Sequence, residues 1–141
     1  MQEYKNCSVR ILSRTDKDKK QSVFTASGKL CVTSSGVRLT YQQQQSFVTI
    51  ETLKTLGTDT VRMERQGDLY LRLCFFQGRK TQGEIGLSSD AKGEVSVYTE
   101  KSEVFYTEKG EKIKIILQYV LQFSPQEEQR TSLQLVAECK N

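Results

Sequence analysis

The stretch Lys112 to Phe123, KIKIILQYVLQF, decides the fold. Ile113, Ile115, Leu117, Tyr119, Leu121 and Phe123 share one parity, while Lys112, Lys114, Gln118 and Gln122 hold the other, with Ile116 and Val120 as exceptions. Alternate side chains of a strand point to opposite faces, so this segment reads as a strand with one buried and one wet face. A helix would scatter the same residues around its axis.

Outward from it the pattern repeats. TSLQLVAE puts Leu133, Leu135 and Ala137 inward, after a loop SPQEEQR that holds the one proline where no ladder donor is lost. Near the start, Cys7, Val9 and Ile11 share a parity, as do Phe24, Ala26, Gly28, Leu30 and Val32. Antiparallel partners must face the same way, so loop length tests each parity. The loop TSSG at 33–36 pairs Val32 with Val37, Leu30 with Leu39 and Gly28 with Tyr41. FQG at 76–78 pairs Phe75 with Arg79 and Leu73 with Thr81, with Gly78 where a positive φ is needed. QGD at 66–68 pairs Arg65 with Leu69, Met63 with Leu71 and Val61 with Leu73. Val95 and Val97 sit on odd positions, whereas pairing across 108–111 sets Val104 and Tyr106 opposite Ile115 and Ile113, so a bulge is required between about Thr99 and Ser102.

The expected strands lie near 6–14, 21–32, 37–44, 47–55, 59–65, 69–75, 79–87, 94–107, 112–123 and 130–139, with no helix between them. Short connections favour an up-and-down meander over a Greek key, and about ten strands in that order curl most naturally into a closed or nearly closed antiparallel β-barrel without exposed edges. A chain of 141 residues fits one such domain over 1–141, since a chain of that size buries roughly two-thirds of its unfolded surface.

Composition narrows the chemistry. The chain has no histidine, which removes the usual neutral-pH base, the central residue of a triad and the commonest transition-metal ligand. There is no phosphate-binding glycine loop, dinucleotide fingerprint or nucleophile elbow. A non-catalytic protein with no metal and no cofactor is expected. Cys7, Cys31, Cys74 and Cys139 form no Cys-x-x-Cys motif and read as packing residues. The N-terminal MQEYKNCSVR has no apolar signal core and no segment is long and apolar enough to span a bilayer, so a cytoplasmic chain with reduced thiols is expected. A net charge of +4 is scattered through the strands and is mild evidence at best for a polyanion partner, so nucleic acid is not the expected partner. The densest run, RTDKDKK at 14–20, is interrupted by Asp16 and Asp18 and reads as a solvated loop, with a phosphate-binding tip as the alternative.

Inward polar residues point to a small-ligand site, because pockets combine apolar walls with a few converging polar groups. Arg65, Tyr41, Thr81 and Tyr119 share the apolar parity of their strands, and Arg79 does so at a hairpin end. Arg65 has two readings: a stem laid over Leu69 with the guanidinium snorkelling out of the barrel end, or a lumenal anchor for a carboxylate or other anion. Tyr119 likewise is either a satisfied core hydrogen bonder near Glu100 or a ligand contact. The competing functional reading is an interaction protein that uses the outer parity of YLRLCFF, with Tyr70, Arg72, Cys74 and Phe76 beside Arg62, to bind protein or nucleic acid.

The succession DTVRMERQGDLYLRLCFFQGRKTQGEIGLSSDAKGEVSVYTEKSEV, followed by GEKIKIILQYVLQ, resembles the YwiB-like family of uncharacterised bacterial proteins. The order of features carries the likeness: MERQG, FFQGRK, the Thr-bearing VSVYTEKSEV and the Tyr-centred KIKIILQYVLQ. The resemblance implies a calycin-like barrel, similar in architecture to lipocalins and intracellular fatty-acid-binding proteins, in a Gram-positive-type bacterium, and no known activity. The turn SSDAKG lacks the aromatic of that family, and without tryptophan the chain lacks the Gly-x-Trp signature of true lipocalins. The expected function is a lumenal site for a small apolar or anionic amphipathic ligand.

Overall fold

A computed structural model of the chain describes residues 3–17, 20–55, 57–107 and 109–139, with the backbone alone at Thr55. Ten strands follow one another: β1 Lys5–Thr15, β2 Ser22–Val32, β3 Val37–Gln43, β4 Ser46–Thr55, β5 Thr58–Gln66, β6 Tyr70–Phe76, β7 Lys80–Ser88, β8 Ala91–Tyr106, β9 Lys112–Ser124 and β10 Glu127–Cys139. Each pairs antiparallel with its sequence neighbour and β1 closes on β10, giving the expected closed all-β meander barrel. Asp18 and Lys19 of the charged run and Glu108 before β9 lie outside the described residues.

The inward parities form the core. Val9, Leu39, Ile50, Val61, Phe75, Val97, Ile113, Ile115, Leu117 and Leu135 are buried, while charged residues take the outer face. This is the reverse of the polarity a lipid-embedded barrel needs. The lumen is largely filled by side chains, with the Phe75 and Tyr119 rings 4.6 Å apart near its middle. Val32, placed inward by parity, is exposed at the end of β2.

The β2–β3 register is as expected, with Val32, Leu30 and Gly28 opposite Val37, Leu39 and Tyr41. So is the break in β8, where the register shifts between Thr99 and Lys101, so that Val97 faces Leu121 and Val104 faces Ile115. Glu100 sits in the bulge and reaches Arg130 at 3.5 Å.

Two hairpins differ from the sequence reading by two residues. Arg65 pairs with Leu71, Met63 with Leu73 and Val61 with Phe75, because β5 runs on through Gln66 and the turn is Gly67, Asp68 and Leu69. Leu69 stands exposed at the tip. Likewise β6 runs through Phe76, whose carbonyl accepts the Arg79 N–H at 3.0 Å, and Arg72 faces Glu84. A shift of two keeps every side chain on its face, so parity held while partners changed. Gly78 has the expected positive φ of 78°. Gly83 is where the corrected register demands a glycine, since a Cβ there would come within 2.7 Å of Leu73 Cδ2. β10 also begins at Glu127, within the stretch read as a loop.

Candidate functional site at one end of the lumen

Alternate turns of a meander lie at opposite ends of the barrel. The β1–β2, β3–β4 and β5–β6 turns share one end with the lumen's cavity, about 190 Å³ in volume. Its walls include Phe24, Tyr41, Val48, Met63, Arg65 and Leu71. Strand register explains the grouping: Tyr41 pairs with Val48, Val48 with Arg65 and Arg65 with Leu71, one row across four strands. Tyr41 and Arg65 thus flank Val48 about 10 Å apart at the backbone, within reach of their long side chains. Phe24 packs on Tyr41 with ring centres 6.2 Å apart.

Arg65 is held between the two roles the sequence allowed. Its side chain is 15% exposed, and Nη2 donates to Asp68 Oδ1 at 3.2 Å across the turn. Asp68 Oδ1 also accepts from the hydroxyl of buried Ser46, so the turn itself clamps one edge of the guanidinium. Arg65 Nε, in contrast, is buried with no hydrogen-bond partner among the described residues. Leu69 is exposed in the turn, and the residue opposite Arg65 is Leu71 in its place.

Tyr41 is buried, and that burial holds its hydroxyl well above the usual phenol range; Arg65 pulls it down and Tyr119 pushes it up. It is a proton donor at any physiological pH. Tyr119 lies deeper, opposite Thr131 and Thr99 on its two neighbours. Burial pushes it up to about 12 against a hydrogen bond with the Thr131 side chain, which makes it a satisfied core residue.

The other two candidates leave the site. Thr81 donates to the Cys74 carbonyl at 2.6 Å, so its hydroxyl is spent inside the sheet. Arg79 belongs to the β6–β7 turn, at the opposite end of β6 from Arg65, and lies over the exposed side of Phe76, 4.7 Å from the ring centre. Parity alone could not separate the ends. Asp68 and Ser46 were missed because a turn residue and a strand start carry no periodic signal, although Asp68 three residues after an inward Arg65 was a usable hint.

The outer face carries a groove of about 550 Å³ across β4 to β8, lined by Glu51, Glu64, Glu84 and Glu94 against Arg62 and Arg72. Of the aromatics the sequence set on the outer side of β6, Tyr70 is covered, whereas Phe47, Tyr98 and Phe105 stand exposed elsewhere on the outside of the barrel. Tyr70 is 7% exposed, donates to Glu84 at 3.3 Å and has Lys92 Nζ 5.2 Å from its ring centre. Lys92 holds the Glu84 carboxyl below the usual range through a contact of 2.8 Å. Among the described residues no three His, Cys, Asp or Glu side chains are grouped as metal ligands, and no helix is long and apolar enough to cross a membrane.

Fold and cavity together define a closed ten-stranded meander barrel with a small polar-edged pocket at one end. The chain belongs to the family described as a domain of unknown function, DUF1934, whose model matches residues 8–135. A similar solved structure is that of the ywiB protein from Bacillus subtilis, 19% identical, with a TM-score of 0.73 over 98% of this chain and 94% of that one. No curated protein matches the chain. The resemblance in the order of sequence motifs is thereby a family relationship, and the structural likeness is one of fold.

Proposed function

We propose that the barrel is a non-catalytic cytoplasmic protein that binds a small amphipathic carboxylate in the cavity beside Arg65. One observation carries the reading: a buried arginine Nε–H with no hydrogen-bond partner among the described residues lies in the wall of a cavity whose other walls are mostly apolar. Leaving such a donor unpaired costs about 1–3 kcal/mol, which an incoming carboxylate recovers. A guanidinium offers five donors in a fork, so the Asp68 contact leaves others for a second carboxylate. The protonated Tyr41 hydroxyl supplies a further donor. A cavity of about 190 Å³ suits a benzoate-sized or short branched acid and not a long acyl chain, since an apolar cavity of about 150 Å³ takes up benzene.

A thermal-shift series over benzoate, short branched acids, octanoate and palmitate tests this. At a ligand concentration of 100 Kd the stabilisation is about 2.7 kcal/mol, a rise of several degrees in Tm, and the short acids should produce it. Arg65→Met should remove the shift and Arg65→Lys should keep part of it. Equal shifts in Arg65→Met and the natural chain would sink the reading.

A partner on the outer face is the second reading, favoured by the groove whose four glutamates outnumber its two arginines. That balance suits a basic protein segment and repels a polyanion. Binding of polylysine that added salt abolishes and Arg65→Met leaves intact would favour it over the cavity.

A further inference from the structure

Cys7 of β1 and Cys139, the last residue of β10, stand directly opposite each other where the first and last strands close the barrel. Both follow the inward parity of the adjacent pair Val9 and Ala137. The Cys139 N–H donates to the Glu111 carbonyl at 2.7 Å, on the β9 side. In an antiparallel sheet the N–H and C=O of one residue point the same way, so the polar groups of Cys139 turn away from β1. Cys7 and Cys139 therefore form a non-hydrogen-bonded pair, the type whose Cα atoms lie about 4.5 Å apart with the side chains closest. That is the short end of the span of about 4.4–6.8 Å that a disulfide bridges. Neither other cysteine has such a neighbour, since Cys31 faces Arg38 and Cys74 faces Arg62.

We propose that Cys7 and Cys139 form a reversible disulfide that fastens the β1–β10 seam, made by exchange with a small-molecule disulfide such as oxidised glutathione. Cys139 is partly exposed and Cys7 is buried, which sets the order of attack. The Cys139 thiolate attacks one glutathione sulfur, the S–S bond breaks, and one glutathione leaves as thiolate. The Cys7 thiolate then attacks the Cys139 sulfur of the mixed disulfide and the second glutathione leaves. The two protein thiols lose two electrons and two protons, and the small disulfide gains them as two thiols. Formation of the disulfide draws the Cys139 sulfur from the Gly110 carbonyl, to which it now donates at 3.4 Å.

The full chain is incubated with oxidised glutathione, quenched in acid, alkylated and digested with trypsin without reduction. The expected product is a linked species joining residues 6–10 to residues 131–140, two hydrogens lighter than the separate peptides and released by a reductant. It should form in Cys31→Ser and Cys74→Ser and be absent from Cys139→Ser, whose substitution falls at a partly exposed strand end. A glutathione adduct that persists at Cys139 without the linked species, or links that involve Cys31 or Cys74, would overturn the proposal. The peptide map of the natural chain decides the matter without any variant, and independently of whether the cavity binds a carboxylate.

Discussion

Arg65 shows how one inward charge is accommodated. Its neighbours of the same parity, Val61 and Met63, are in the core, and only its place next to a turn lets Asp68 reach it. Parity found the residue, because period two leaves no other face for it. The partner was hidden, because a salt bridge across a turn depends on where the turn begins. Tyr41 and Tyr119 give a prediction at the same scale. Both keep their protons longer in the folded chain than the unfolded one, for burial raises both. Their contribution is fully present below about pH 10, where unfolded tyrosine begins to ionise, and is lost as pH rises beyond it. Tm should therefore fall steadily above about pH 10, and Tyr41→Phe should flatten that fall. Phenolate absorbance should show two of the six tyrosines ionising last; titration of all six together would contradict it.

Strands were legible as elements because apolar residues alternate, and the bulge was legible because β8 changes parity between Val97 and Val104. Hairpin partners were less so. Gln66 and Phe76 each add one residue to a strand, and turn length by itself does not say which residue opens the turn. The bulge makes its own prediction. Deleting Glu100 removes the extra residue and leaves Val95, Val97, Thr99, Ser102 and Val104 all inward, so the chain should fold with a loss on the order of 1 kcal/mol; the lost pair with Arg130 is largely exposed and weak. Deleting Ile116 from the uninterrupted β9 turns half that strand inside out and should abolish folding. Circular dichroism and soluble yield of the two deletions compare them. Equal outcomes would show that the β8 irregularity does not set the parity.

At the scale of the molecule the sequence indicated a barrel but not how full it is. Side-chain volume, not periodicity, decides that, and the inward side chains, Phe75 and Tyr119 among them, fill the core while leaving space at the Arg65 end. Closure also created what no local pattern contains: the facing of Cys7 and Cys139 across the seam, and the separation of Arg65 from Arg79 by the length of β6. The central claim is that this remaining space binds small carboxylates through Arg65. The most direct measurement is an NMR titration that follows the Arg65 side-chain Nε–H signal, assigned by its loss in Arg65→Lys. The account predicts that this signal moves and saturates with benzoate or a short branched acid and is unmoved by palmitate. A signal that stays fixed while the short acids are raised to millimolar concentration would contradict it.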